Sequence, residues 1–176
     1  YFIDVNQEIP ADWKDRIINI KSSEHSKREA KKPWNIADLA GKAESKFIFR
    51  TALSKSILPF ALINPDLIVL PVEIIIDNGL KNIKVLSVDE LRESGYLNAS
   101  KWFQSAENFW AINKTDRNKD TSSIQYLDFH NKLSSQNLNS EYLVIYNSSA
   151  KDANATVIKR SEIDLEFFVD TISYGF

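Results

Sequence analysis

Two carboxylates are the side chains of this sequence that come nearest to a catalytic arrangement. Asp66 follows Pro65 and Glu73 lies seven residues further on, a spacing that magnesium-dependent nucleases distribute over adjacent strands. Such nucleases place a lysine two residues after the glutamate to activate water, but Ile75 occupies that position here. The residue types therefore favour Asp66 as a turn residue, and a divergent nuclease that uses Asp66 and Glu73 is kept as an alternative.

Other kinds of catalytic or metal site lack their usual residues. The chain has no cysteine and only two histidines, His25 and His130, so a thiol nucleophile or a cysteine zinc site is excluded. Its four glycines form neither a phosphate-binding loop nor a dinucleotide fingerprint. Asp128 and His130 are two residues apart, and such residues do not face each other on a helix. We expect no catalytic residue, no metal site and no cofactor site in this chain.

A second group of polar side chains is suited to contact with nucleic acid. Arginine and lysine bind phosphates and position a duplex, whereas amide and guanidinium groups can read base edges. The candidates for phosphate contact are Arg50, Lys55, Lys114, Arg117, Lys119 and Lys132. The candidates for base contact are Gln136, Asn147 and Arg160, and His130 lies in the same polar stretch as Lys132. The net charge of −2 argues against a strong non-specific binder, and the basic run from Lys27 to Lys32 is expected to be a solvated face.

A helical region from residue 96 to 136 is expected to position these groups. Apolar residues recur in it at intervals of three and four, which is typical of one buried stripe along a helix. The residues of the stripe are Ala99, Trp102, Phe103, Ala106, Phe109 and Trp110. We expect this helix, paired with a second one near Tyr126, to pack against a sheet.

Strand patterns lie on both sides of the helical region. They predict strands at 46–51, 67–76, 82–86, 141–146, 155–159 and 166–174, and a strand or extended segment at 1–9. Asp77-Asn78-Gly79 predicts a tight turn, and Ser87 with Glu90 predicts a helical capping box. Trp13, Ile17 and Ile20 predict a short helix after Pro10. The order of strands, helices and strands predicts an α+β fold with a mixed or antiparallel sheet.

The length and composition are those of one globular domain. We expect residues 1–33 to be an N-terminal segment with a basic loop, and residues 34–176 to form the body of the domain. No apolar run is long enough to cross a membrane, and the absence of cysteine fits a cytoplasmic protein. Because the chain begins with Tyr1 and contains no methionine, we expect it to be a fragment of a longer protein.

Three segments, in this order, resemble a known family. They are KFIFRTALSKSILPFALINPDLIVLPVEI, then SKWFQSAENFW with SSIQYLDFHNKLSSQ, and finally EYLVIYNSSAKDANATVIKRSEIDLEFFVDTISY. Together they resemble the C-terminal target-recognition region of adenine-specific (N-6) DNA methylases of restriction–modification systems, and the likeness covers most of residues 34–176. The sequence departs from the family where Ser148-Ser149-Ala150 replaces a turn that usually carries a glycine.

The resemblance implies that the domain recognises a specific sequence in duplex DNA and that it belongs to a bacterial defence system. It also implies a catalytic methylase domain elsewhere in the same polypeptide, which would use S-adenosylmethionine, so the parent protein would be the enzyme. An alternative from a different class is a protein-interaction module in which Trp34, Trp102 or Trp110 forms an exposed patch.

Overall fold

A computed structural model describes residues 1–5, 15–147, 154–170 and 173–175 of the chain. The predicted features at Pro10, Trp13 and 148–150 lie outside these ranges. The strands are β1 (Phe2–Val5), β2 (Ile17–Ser22), β3 (Ala40–Glu44), β4 (Ile48–Thr51), β5 (Ile57–Leu58), β6 (Ala61–Leu62), β7 (Asp66–Val69), β8 (Val72–Asp77), β9 (Leu80–Val85), β10 (Tyr142–Asn147), β11 (Ala155–Lys159) and β12 (Ser173–Gly175).

In the part of the chain that the structure describes, the helices are fewer than the strands. They are α1 (Glu24–Glu29), α2 (Val88–Glu93), α3 (Leu97–Asn113) and α4 (Ser123–Leu127), of which α3 is the longest, with single 3₁₀ turns at Trp34–Ile36, Ser45–Phe47, Ser54–Ser56, Asp116–Asn118, Phe129–Asn131 and Arg160–Glu162. Within the described ranges, none of the helices combines the length and the apolar character that crossing a membrane requires.

A five-stranded antiparallel sheet is the base on which α3 lies. Its strand order is β3-β2-β1-β7-β4. The prediction of a helix that includes Ile17 and Ile20 is wrong, because these residues belong to β2. Ile18 and Ile20 point into the core while Ile17 is exposed, which is the alternation of a strand.

The predicted aromatic stripe of α3 is confirmed. Trp102 and Phe103 are buried in one cluster with Phe47 and Val69 of the sheet region. Burial of such large side chains contributes about 1.5–3 kcal/mol each. Glu44, at the end of β3, accepts hydrogen bonds from the backbone amides of Asn98 (3.0 Å) and Ala99 (2.8 Å). The helix therefore begins where a carboxylate of the sheet satisfies its free amides.

The strand predicted at 67–76 is divided into two. Leu70 and Pro71 separate β7, which belongs to the five-stranded sheet, from β8, which pairs only with β9 among the described strands. Proline cannot donate a ladder hydrogen bond, so the chain changes sheets at this point. Asn78 and Gly79 form the predicted turn of the β8–β9 hairpin, both with positive φ.

Both hydrogen bonds of the predicted capping box are present at the start of α2. Ser87 Oγ accepts from the Glu90 amide, and the Glu90 carboxylate accepts from the Ser87 amide.

A second antiparallel sheet has the order β11-β10-β12. The long strand predicted at 166–174 is wrong in its extent. Phe167 forms a single bridge with Arg50, and the amide of Phe168 donates to the Arg50 carbonyl (2.9 Å). Phe167 and Phe168 are both buried, in two different clusters, so this extended segment passes between two cores, although within the described residues only a single bridge pairs it with a strand.

The fold is α+β with antiparallel sheets, as the sequence predicted. The expected second helix is shorter than its pattern indicates. It consists of α4, with its own capping box at Ser122 and Gln125, followed by the turn Phe129–Asn131. His130 has φ 58° and ψ 33°, a left-handed conformation that ends the helical path.

Candidate nucleic-acid interface

A row of aromatic rings runs from the C-terminal half of α3 onto the loop after α4. We call it the aromatic staircase. Its rings, in spatial order, are Trp34, Trp110, Tyr126, Phe129 and His130, with neighbouring centroids 5.2, 4.8, 6.1 and 4.1 Å apart. Trp34 is half-buried and the second ring, Trp110, is only 9% exposed, whereas Tyr126 and Phe129 are 48% and 50% exposed, so the end at Phe129 and His130 is open.

The loop after α3 is tied to the staircase through one carbonyl group. Thr121 O accepts a hydrogen bond from Trp110 Nε1 (2.8 Å) and one from Lys114 Nζ (3.4 Å, a weak contact). The loop therefore closes beside the Trp110 ring. Arg117 and Lys119 lie in this loop. Both side chains are exposed, and neither forms a salt bridge with any residue that the structure describes.

A second basic segment reaches the same place through Trp34. The Trp34 ring stacks on Trp110 with an interplanar angle of 26° and also touches Phe109 (5.8 Å). The backbone amide of Trp34 donates to the Lys31 carbonyl (2.9 Å). The cations immediately before Trp34 are therefore held next to the staircase. Sequence reasoning assigned them to a solvated face and gave no signal of this proximity.

We call the cations of the two segments the basic rim. Its members are Arg28, Lys31, Lys32, Lys114, Arg117 and Lys119. Among the described residues, none of the six has an acidic partner within salt-bridge distance. Lys27 differs from them, because it binds both Glu24 (3.1 Å) and Asp38 (3.0 Å). Unpaired cations keep their charge available to a polyanion.

The open end of the staircase is shaped by Asp128. Its carboxylate accepts hydrogen bonds from the backbone amides of Leu133 (2.9 Å) and Ser134 (2.8 Å), and one from Ser134 Oγ (2.7 Å). Between these anchors, His130 and Asn131 both take the left-handed conformation, with φ of 58° and 57°. The carboxylate thus fixes a turn that residues with side chains rarely adopt.

Five of the predicted DNA-contact residues lie at this interface or next to it. Lys114, Arg117 and Lys119 belong to the basic rim, and His130 ends the staircase. Lys132 follows on the same loop, is exposed, and has no salt bridge within the described part of the chain.

Arg50 and Arg160, by contrast, use their guanidinium groups inside the fold. Arg50 binds Asp164 through two hydrogen bonds, from Nε (3.0 Å) and Nη2 (2.8 Å). This hydrogen bonding lowers the pKa of Asp164, although burial opposes the shift. Arg160 is held by Glu166 and by two backbone carbonyls. Arg50 fastens the 160–168 segment to β4, and Arg160 ties the two ends of that segment to each other and to the Asn137 carbonyl.

The remaining predicted residues are also engaged within the fold. Lys55 forms a salt bridge with Asp66 (3.0 Å). The Gln136 amide pairs with the backbone of Val169, donating at 2.9 Å and accepting at 2.8 Å. Asn147 ends β10, and its side-chain Oδ1 is buried. To contact DNA, these side chains would have to exchange existing bonds or become exposed.

Each of the two carboxylates considered for a nuclease forms a salt bridge with a lysine. Asp66 accepts from Lys55 and Ser56, and Glu73 binds Lys46 (3.0 Å). No cluster of histidine and acidic residues in the described ranges has the geometry of a metal site.

The surface patch that the interaction-module alternative would require is not formed by Trp102 or Trp110, which are buried in the core.

Comparison with known proteins gives no family for this chain. No protein-family model matches it, and no curated protein matches it.

Proposed function

We propose that this chain is a DNA-recognition domain that binds duplex DNA across the aromatic staircase and its basic rim. The observation that carries the proposal is the convergence of two basic segments, far apart in sequence, on one row of aromatic rings. In line with the family resemblance, we further propose that the domain positions DNA for an adenine-specific methylase domain outside this chain. That domain would use S-adenosylmethionine.

The charges of the rim suit the phosphate backbone. A lysine or arginine that neutralises a phosphate releases a condensed counterion, and this release drives binding at low salt. Cations that are already paired would first have to break a salt bridge, whereas the rim cations have none within the described residues. Acidic side chains at Asp116 and Asp120 reduce the local charge. Modest affinity with a limited number of phosphate contacts is the expected result.

Duplex binding titrated with salt tests this proposal. The logarithm of the affinity should fall linearly with the logarithm of salt concentration, with a slope of about 0.9 per phosphate contacted. The double variant Arg117→Glu/Lys119→Glu should weaken binding and flatten the slope.

The matched control is the double variant Lys42→Glu/Lys101→Glu, because both lysines are exposed and neither forms a salt bridge among the described residues. Lys42 lies on β3, two residues before Glu44, whose carboxylate binds amides at the start of α3. Lys101 lies near the N-terminal end of α3, about 18 Å along the helix axis from Asn113, whereas the rim lies near the C-terminal end. Equal losses for the two double variants, or no binding at low salt, would refute the proposed interface.

A further inference from the structure

We propose that the open end of the staircase holds one unstacked base of the bound DNA, against the rings of Phe129 and His130. This inference rests on the proposed function and makes it more specific. It predicts that the preferred ligand is DNA in which one base can leave the helical stack easily, such as a duplex with a single mismatch or a single-base bulge.

The first observation is the exposure of the two terminal rings. Phe129 is 50% exposed although it is continuous with Tyr126, Trp110 and Trp34, so the staircase ends with a ring in solvent. The His130 ring meets Phe129 edge-on at 4.1 Å, with an interplanar angle of 62°. A nucleobase placed against these two terminal rings would extend the row of rings by one member. Stacking of this kind tolerates any base, because every base has a π face.

The second observation is the strained backbone that presents these rings. His130 and Asn131 are consecutive left-handed residues, a conformation that costs free energy for residues with a Cβ. The three hydrogen bonds to Asp128 keep the turn in this form. Asp128 therefore acts as a positioning residue, which holds the rings in place before a base arrives.

The third observation is the charge next to the open rings. Lys114, Arg117 and Lys119 lie in the loop that closes on Trp110, one ring away from Tyr126. Phosphates held there would place the adjoining bases near the exposed end of the staircase. Extruding a base from a duplex has a free-energy cost, and this cost is smallest for a mismatched or bulged base. The ring platform should therefore discriminate between perfect and imperfect duplexes.

The test compares the affinity of the chain for a perfect duplex and for the same duplex with one bulged base. The unaltered protein should bind the bulged duplex at least about fivefold more tightly, the lower limit for stacking of one base on an aromatic ring. Phe129→Ala should abolish this preference. Phe129→Leu, which keeps an apolar side chain but removes the ring, should behave in the same way.

Two further variants make the result specific. Asp128→Asn should reduce the preference, because it weakens the anchor of the turn without touching the rings. Phe60→Ala is the matched control, because Phe60 is an aromatic side chain that is 96% exposed and lies outside the staircase. It should leave the preference intact.

The outcomes separate this inference from the proposed function. Equal affinity of the unaltered protein for both duplexes, with a normal salt slope, would overturn the inference and leave the DNA-recognition proposal standing. A preference that survives Phe129→Leu would also overturn it. Absence of salt-dependent binding to either duplex would overturn both.

Discussion

The ring of Trp34 lies on the ring of Trp110, with centroids 5.2 Å apart and an interplanar angle of 26°. This stack joins the segment before β3 to the end of α3. The backbone amide of Trp34 binds the Lys31 carbonyl, and the loop that carries Arg117 and Lys119 closes on the Trp110 ring, so both basic segments are anchored at this stack.

Charge reversal in the first basic segment should therefore affect DNA binding as reversal in the second does. We expect Lys31→Glu/Lys32→Glu to lower affinity and to reduce the salt slope by about 0.9 for each phosphate that the variant no longer binds. Fluorescence anisotropy with a labelled duplex measures both quantities. Trp34→Ala should also weaken binding, because it removes the stack that places the segment, whereas Trp34→Phe should retain most of it. Unchanged binding by Lys31→Glu/Lys32→Glu would remove this segment from the interface.

Glu44 should stabilise the fold as a cap supplied by another element. Burial alone would raise the pKa of Glu44, but hydrogen bonds from Ala99 and Asn98 outweigh it and hold the pKa below 4.5. Because the folded-state pKa is depressed, the stabilisation is present at neutral pH and is lost as pH falls below about 4.5. Glu44→Gln should lower the free energy of unfolding by about 1 kcal/mol at pH 7.

Urea denaturation of the unaltered protein and of the Glu44→Gln variant at several pH values measures this effect. The difference between the two free energies of unfolding should shrink as the solution is acidified through the pKa of Glu44. A difference that stays constant during acidification would show that the carboxylate charge does not contribute. Asp38→Asn is a suitable control, because Asp38 is exposed and accepts a hydrogen bond from the Lys27 side chain at the surface.

Phe60 occupies a position that suits glycine. It follows Pro59 in the two-residue turn between β5 and β6, with φ of 64°, and 96% of its side chain is exposed. Phe60→Gly relieves the left-handed strain and removes almost no packing. We expect the urea midpoint to rise, with a gain of up to about 1 kcal/mol in the free energy of unfolding. A clear decrease in stability would show that the exposed ring makes contacts that its exposure does not indicate.

Arg160 should matter for stability rather than for base recognition. Its side chain is 10% exposed, and it binds Glu166, the Phe167 carbonyl and the Asn137 carbonyl. Arg160→Met should lower the free energy of unfolding by about 2–3 kcal/mol, the usual effect of removing hydrogen bonds to a charged group. Below the unfolding temperature, the unaltered protein and the Arg160→Met variant should bind different DNA sequences in the same order of affinity. A changed ranking would restore Arg160 as a base-reading residue, as the sequence first indicated.

Local patterns in the sequence determined the parts of the fold that depend on near neighbours. The stripe through Trp102 and Phe103, the capping box at Ser87 and Glu90, and the turn at Asn78-Gly79 all involve residues within a few positions of each other. The stripe and the capping box follow from the periodicity of the helix. The turn follows from the backbone φ angles that asparagine and glycine can adopt. For the same reason, the α+β class could be predicted from the order of elements.

Only the tertiary structure decided which side chains remain available to a ligand. The sequence makes both Arg50 and Arg117 candidates for phosphate contact. In the fold, Arg50 binds Asp164, which is far away along the chain, whereas Arg117 has no salt bridge among the described residues. Likewise, nothing near Lys31 indicates that Trp34 stacks on Trp110. Pairing depends on contacts between distant segments, and these contacts are set by how the sheets and α3 bury their apolar surfaces together.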